Sequence, residues 1–391
     1  MRILHTSDWH VGRRLGRHDR TQEFRAALTE VHAIADEHRV DLVLVSGDVF
    51  DRPLPPVDAL SLGIEGLLGL AEARPVVAVA GNHDGPELFD ALAPLVRDQG
   101  RGVHLVGSIR RPDRGGVLGP DELGVPALVG CLPFLREGRV IDFMRDTGEW
   151  YGQYADRLAA LSSAYNAELL RRADRDVVPL LVAHFMVHGV KVDRAAPRGE
   201  RELHLGEAYT ATAHAIPAGP QYVAMGHIHA PQRVPGSPVP AEYAGSLLAL
   251  DFGEAGERKR VAIVDVEPGV PATVTSVPLQ AGRPLVRAIG TWDELEARAE
   301  ELADSYLDLT VRVGGADPEL GRRAVDLFPH LVNVRPERPA VERRNRPAGA
   351  DRPTDDQLYA AFCRDVVGED PPDELLAQFR GVLEEVADAT A

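Results

Sequence analysis

Along the first hundred residues, short wholly apolar runs alternate with longer stretches whose apolar residues recur every three or four positions. "RILHTS", "VDLVLVSGD" and "RPVVAVAGNHD" have strand length and little alternation, which predicts strands covered on both faces. Between them, "RTQEFRAALTEVHAIADEHR" places Phe24, Ala27, Leu28, Val31, Ile34 and Ala35 at helical spacing. "PVDALSLGIEGLLGLAEA" and "GPELFDALAPLVRD" read as further helices. The β-α-β-α order predicts a layered α/β domain around a buried sheet.

The middle of the chain is strand-rich. "ALVGCLPFL" and "VVPLLVAHF" read as strands on either side of the helical "YADRLAALSSAYNAELLRRA". "DRAAPRGERELHLGE" is polar and predicts an exposed loop over about 193–206. "QYVAMGHIH", "AEYAGSLLAL", "KRVAIVDVE" and "ATVTSVPL" then follow as strands separated by turn signals. They suggest a second sheet facing the first, a β-sandwich with helices outside.

After about residue 280, "WDELEARAEELADS", "YLDLTVRV", "DPELGRRAVDLF" and "HLVNVRPE" read helix, strand, helix, strand, a small α/β unit. "VERRNRPAGADRPT" is rich in Arg and Pro and reads as a linker, and two amphipathic helices close the chain. The expected boundaries are 1–280, 281–340, a linker over 341–354, and 355–391.

Composition narrows the class. The 391 residues carry 43 Lys and Arg against 60 Asp and Glu, a net charge of −17. That balance argues against general electrostatic coating of nucleic acid, while leaving room for a local basic groove or bound cations. Cys131 and Cys363 lie too far apart in sequence for a Cys-x-x-Cys metal motif, so a reducing compartment is expected. Without a long apolar run, the expectation is a soluble, cytoplasmic protein.

The chemistry concentrates where apolar strands end. "SDWH" carries Asp8 and His10, and "GDVFDR" carries Asp48 and Asp51. "GNHD" carries Asn82, His83 and Asp84, "AHF" carries His184, and "GHIH" carries His227 and His229. Open α/β sheets build sites in the loops at strand carboxyl ends. Carboxylates and imidazoles without thiolates suit manganese, iron or zinc. Residues two apart on an extended strand face the same side, so Asp8 with His10, and His227 with His229, are expected to point together. Each motif alone reads as a polar turn or a core histidine. The ordered set reads as a metal site.

The ordered set Asp-x-His, Gly-Asp-x-x-Asp, Gly-Asn-His-Asp, His and Gly-His-x-His resembles the calcineurin-like metallophosphoesterase superfamily. "MRILHTSDWHVG", "DLVLVSGDVFDRPLPP", "AGNHD", "YVAMGHIH" and "YAGSLLALDFGE" further resemble its SbcD nuclease-subunit family. The resemblance implies a four-layer β-sandwich flanked by helices, a small capping domain and C-terminal helices. It implies two divalent metal ions, with Mn2+ expected. Asp8, His10, Asp48 and His229 would hold one, and Asp48, Asn82, His184 and His227 the other, with Asp48 as bridge. His83 would stabilise the transition state and protonate the leaving oxygen, oriented by Asp51. Asp84 would be structural or stand behind the ligands, and Arg52 stands beside Asp51 as a weaker phosphate-contacting candidate.

The same resemblance implies a Mn-dependent 3′→5′ exonuclease on duplex DNA that also cuts hairpins and single strands, in DNA repair and recombination. It implies an SbcC-like ATPase docked on the C-terminal helices, a homodimer within a heterotetramer, and a nucleoid-associated location. Two other readings stay open: a stand-alone phosphodiesterase or phosphatase on non-DNA substrates, which the acidity favours, and a non-catalytic scaffold, which the full set of ligand types disfavours.

Overall fold

The computed structural model describes residues 1–97, 102–136, 154–191, 210–315, 317–338, 354–366 and 369–390, with side chains to residue 383 in the last segment. The expected loop over about 193–206 and most of the expected linker, residues 341–353, lie outside the described residues. The described chain divides into two compact units, Met1–Glu337 and Arg338–Ala391.

In the first unit the chain runs β1 (Arg2–Thr6), α1 (Thr21–Glu37), β2 (Leu42–Val45), α2 (Val57–Leu70), β3 (Val76–Val79), α3 (Pro86–Arg97) and β4 (Val103–Val106). After β5 (Val117–Leu118), the short helix α4 (Pro120–Leu123) and β6 (Ala127–Leu132) come α5 (Tyr154–Arg172) and β7 (Val178–His184). Two short strands, β8 (Met186–Val187) and β9 (Thr210–Ala211), precede β10 (Tyr222–Gly226), β11 (Gln232–Arg233) and β12 (Ala241–Tyr243). The long hairpin of β13 (Arg260–Glu267) and β14 (Val270–Pro278) leads to β15 (Leu285–Gly290), β16 (Tyr306–Arg312) and β17 (Leu331–Glu337).

Among the described residues these strands form two six-stranded sheets, ordered β14-β13-β1-β2-β3-β4 and β11-β12-β10-β7-β6-β5. Their facing sides make one core, in which Ile3, Leu42, Leu44, Val77 and Val79 meet Val129, Leu180, Val182 and Ala224. The outer side of the first sheet packs under α1 to α3 through Leu4, Phe24, Val31, Val43, Val76 and Phe89. The outer side of the second packs under α5 through Leu158, Leu161, Tyr165 and Leu181. The fold is therefore a four-layer α/β sandwich. Strands covered on both faces cannot alternate with polar residues, which is why the sequence shows unbroken apolar runs.

Two sequence expectations need correction. "KRVAIVDVE" and "ATVTSVPL" do not extend the second sheet. They return to the first, where β13 pairs antiparallel with β1, Leu4 opposite Ile263. β1 would otherwise leave a row of buried backbone groups unpaired, and β13 supplies their partners. "AEYAGSLLAL" is a strand only as far as Tyr243. Gly245, at φ +82°, turns the chain, and Leu247, Leu248 and Leu250 then drop into the core beneath α1 to α3.

Beyond residue 280, β15, β16 and β17 form a parallel three-stranded sheet. "WDELEARAEELADS" divides into two short helices, Trp292–Glu296 and Ala299–Leu302, and the reading from sequence missed β15 before them. This small layer is fastened to the first turn of α1 and to the segment before it. Tyr306 OH donates to Glu23 Oε1 at 2.5 Å, and His18 Nε2 donates to the Leu331 carbonyl at 2.8 Å. The second unit holds helices Asp355–Val366 and Asp373–Thr390, joined by a Tyr359–Phe379 ring stack and an Arg380–Asp356 ion pair. No described helix is long and apolar enough to cross a membrane.

Candidate metal centre

The carboxyl ends of β1, β2 and β3 lie in parallel register, Thr6 beside Val45 and Val45 beside Ala78. In the facing sheet β7 and β10 end together, His184 beside Gly226. The two edges meet where His184 Nδ1 donates to the Ser46 carbonyl at 2.7 Å. All five chemistry-bearing motifs leave their strands here.

The side chains do not converge through the pleat of a strand, as the two-residue spacing suggested. β1 ends at Thr6, and Asp8 and His10 both sit beyond it with φ near +48°. Asp48 has φ +51° and His227 φ +98°. Left-handed backbone is uncommon outside glycine and costs about 1–2 kcal/mol per residue. Neighbouring backbone holds it in place. Asp8 N–H donates to Gly47 O, His10 N–H to Asp48 O and Val11 N–H to Val49 O, at 2.9–3.0 Å. The first two strand-end loops therefore remain paired, and their unusual torsions turn the ligand side chains out of the pleat.

Two groups result. Asp8, His10 and His229 present ligand atoms within 4.8 Å of one another, with His10 Nε2 and His229 Nε2 3.1 Å apart. In the second, Asn82 Oδ1 lies 3.0 Å from His184 Nε2 and 2.8 Å from His227 Nδ1. Asp48 Oδ2 stands between the groups, 3.6 Å from His10 Nε2 and 3.4 Å from His184 Nε2. Its other oxygen accepts the His83 backbone N–H at 2.8 Å, and Asp8 accepts the His227 backbone N–H at 3.0 Å. Gly47, at φ +100°, leaves no room for a side chain, because a Cβ there would enter the His184 ring.

The electrostatics suit a cation. Burial alone would raise the Asp48 carboxyl, but His184, His83 and His10 around it hold it well below the usual carboxylate range. Burial alone would lower His184, yet Asp48 and Asp8 outweigh it and raise the imidazole to about 9. Glu254 does the same for His229, also raised to about 9. Buried imidazoles that attract protons this strongly sit in a field that favours positive charge. His184 has one nitrogen committed to a carbonyl and His229 one to a carboxylate, while the other nitrogen of each faces the site. Two imidazole nitrogens aimed at each other and a carboxylate oxygen midway between two such groups are a donor set for divalent cations. The residues fit the two divalent ions that the family resemblance implies.

Like Asn82 and His229, His83 is partly buried. Its ring packs edge-on to His10 at 4.6 Å between centroids, and it lies close enough to His10 and Asp48 to join them geometrically as a ligand. Its Nδ1 donates to the backbone carbonyl of Asp51 at 2.9 Å. The Asp51 carboxylate is turned elsewhere, 3.3 Å from Arg13 and 3.8 Å from His10 Nδ1. Asp51 therefore meets His83 through its main-chain carbonyl, the hydrogen-bond acceptor expected of it, and not through its carboxylate. Arg52 is exposed.

Asp84 is wholly buried and accepts backbone N–H groups from Val49, Phe50 and Gly81. It ties the two loops that carry Asp48 and Asn82. Burial, and after it the charge of Asp48, push its carboxyl up to about 7.

Sequence reasoning missed several contributors. Arg136 donates to the carbonyls of Asn82 and Asp84 at 3.2 and 2.6 Å, clamping their loop. Phe134 stacks on the His227 ring. Glu254 binds His229 Nδ1 at 2.9 Å. Glu254 lay in view within "LDFGE", but only the tertiary structure brings it to the site.

The calcineurin-like phosphoesterase family model matches residues 1–231. The chain is similar to three bacterial proteins, each named as the SbcD component of the SbcCD nuclease. The one from Bacillus subtilis (strain 168) is 33% identical over 357 residues, 86% of this chain and 85% of the relative. The one from Rhodobacter capsulatus is 31% identical, covering 92% and 94%. The one from Escherichia coli (strain K12) is 29% identical, covering 78% and 74%.

Proposed function

The chain belongs to the calcineurin-like phosphoesterase family and, within it, to the SbcD nuclease subunits, and we propose that its site is a two-metal centre cutting phosphodiester bonds of DNA. The observation that carries this reading is the position of Asp48 Oδ2 between two histidine groups, His10 with His229 and His184 with His227. Asp8, His10, Asp48 and His229 would hold one ion and Asp48, Asn82, His184 and His227 the other, with Mn2+ as the ion. Two such ions supply an activated water and charge neutralisation for an in-line displacement at phosphorus.

The chain's own residues do the rest. Asp8 and Asp48 are each held by a backbone N–H, so they need no reorganisation when a charged substrate arrives. His83, fixed at Nδ1 by the Asp51 carbonyl, keeps Nε2 to carry a proton to the leaving oxygen. Arg136 keeps the "GNHD" loop in place while the bond from phosphorus to the leaving oxygen breaks.

The three-stranded layer of β15–β17 would cap the site and control access of DNA ends. Helices Asp355–Val366 and Asp373–Thr390 expose Leu358, Phe362, Val366 and Leu375, an apolar set suited to docking an SbcC-like ATPase. A second copy of each subunit would complete a heterotetramer. The deciding assay supplies blunt and hairpin duplexes with Mn2+, with and without the partner ATPase. Cutting from 3′ ends and at hairpins is expected. Turnover of a generic phosphodiester alone, with duplex ends untouched even beside the ATPase, would instead favour a stand-alone phosphodiesterase.

A further inference from the structure

His229 reaches the site from a turn, yet its ring and its backbone are both held by a segment that follows it in the chain by more than fifteen residues. Glu254 Oε1 accepts from His229 Nδ1 at 2.9 Å. The His229 carbonyl accepts from Lys259 Nζ at 3.1 Å and from the Ser246 N–H at 3.1 Å. Gly245 lies so close to that carbonyl that a Cβ would collide with it. The other carboxylate oxygen, Glu254 Oε2, accepts from Lys259 Nζ at 2.6 Å and from the Leu250 N–H at 3.0 Å, with Ser246 Oγ at 3.4 Å. Glu254 and Lys259 are both buried.

We propose that Glu254, anchored by Lys259, is the positioning residue that fixes the tautomer of His229, placing its proton on Nδ1 so that Nε2 offers a lone pair to the metal centre. This rests on the two-metal reading of the site. Lys259 and Leu250 can only donate, so the atom facing them must be an acceptor. A carboxylate satisfies them with Oε2 and still presents an acceptor, Oε1, to His229. A glutamine cannot do both. Its carbonyl oxygen is drawn to the two donors, and its NH2 then faces His229 Nδ1. That nitrogen must become the acceptor, and the ring proton moves to Nε2, where it points at the ion. Glu254→Gln thus changes the tautomer at almost constant volume.

The test uses the full chain and Mn2+ as the probe. Mn2+ binding is counted by titration calorimetry and elemental analysis for wild type, Glu254→Gln and His229→Ala. Thermal unfolding without metal is recorded in parallel. Glu254→Gln should weaken one of the two ions by about 10–100-fold, as loss of a partner behind a metal-binding histidine does elsewhere. The other ion and the metal-free melting temperature should stay near wild type. Raising Mn2+ should then restore cleavage. If His229→Ala loses an ion but Glu254→Gln binds both as wild type does, the positioning role is wrong and the two-metal reading stands. If His229→Ala also binds both ions unchanged, the two-metal reading itself fails. Should Glu254→Gln not fold, Lys259→Met replaces it: weakening of the same ion supports the proposal, and unchanged affinity overturns it.

Discussion

Replacing Asp84 by alanine should loosen both loops that build the site, and the structure sets the size of the effect. Its carboxylate accepts three buried N–H groups, from Val49 at 3.2 Å, Phe50 at 2.9 Å and Gly81 at 2.9 Å. A buried donor left without a partner costs about 1–3 kcal/mol. Three of them, eased by local relaxation, put Asp84→Ala about 3–6 kcal/mol below wild type. Asparagine makes a sharper comparison. Val49 and Gly81 share Oδ2, while Phe50 alone uses Oδ1. The amide oxygen should therefore take the Oδ2 position and its NH2 should oppose only the Phe50 N–H. One lost bond, partly offset by removing a charge that burial disfavours, predicts a cost of about 1–2 kcal/mol. Urea unfolding at pH 8, followed by far-UV circular dichroism and tryptophan fluorescence, measures both. Because Asp48 and Asn82 stand on the joined loops, Mn2+ affinity should fall in the same order, wild type, asparagine, alanine. Asp84→Ala within 1 kcal/mol of wild type, or asparagine more damaging than alanine, would refute the reasoning.

His83→Ala should keep both Mn2+ ions while kcat falls about 10²–10⁴-fold; near-normal turnover, or loss of an ion, would contradict its role as proton donor. Gly47→Ala forces a side chain onto φ +100° and into the His184 ring. It should cost at least about 1–2 kcal/mol in thermal unfolding and lower Mn2+ stoichiometry, and a variant that keeps both properties would show that His184 has room to move. His5, enclosed between Tyr222 OH and Ser46 Oγ, is pushed down to about 3, first by burial and then by Arg260. Below pH 6.5 the unfolded chain takes up a proton that folded His5 refuses. Its contribution is thus complete above pH 6.5 and declines by about 1.4 kcal/mol per unit as pH falls toward 3. His5→Gln should flatten the stability–pH curve between pH 6 and 4 by about one proton, and an unchanged slope would place the titration elsewhere.

The elements of the sandwich were legible because each long strand carries an apolar run and each helix a three-to-four-residue period. Sheet membership was not. β13 reads the same whether it pairs with β1 or with β12, and the choice fell to the unpaired edge of β1. The candidate site shows the same division. Residue types and order singled out the strand-end motifs that carry Asp8, His10, Asp48, Asn82, His184, His227 and His229, and the structure brings these side chains together. Their aim was misread. Extended geometry was expected at Asp8 and His10, where the backbone is left-handed, because local propensity says nothing of hydrogen bonds to a neighbouring loop. Asp51 meets His83 through its backbone carbonyl, a contact that residue type does not encode.

What the sequence determined by itself is therefore the inventory: which side chains could bind cations, and which strand ends would carry them. What the tertiary structure decided is direction and support. It turned four of the candidate ligands by unfavourable torsions, placed Asp48 between two histidine groups, and brought Glu254 and Arg136 behind them from distant parts of the chain. Such contacts join residues tens to hundreds of positions apart, and no periodicity along a chain encodes which buried donor will meet which acceptor once the layers close.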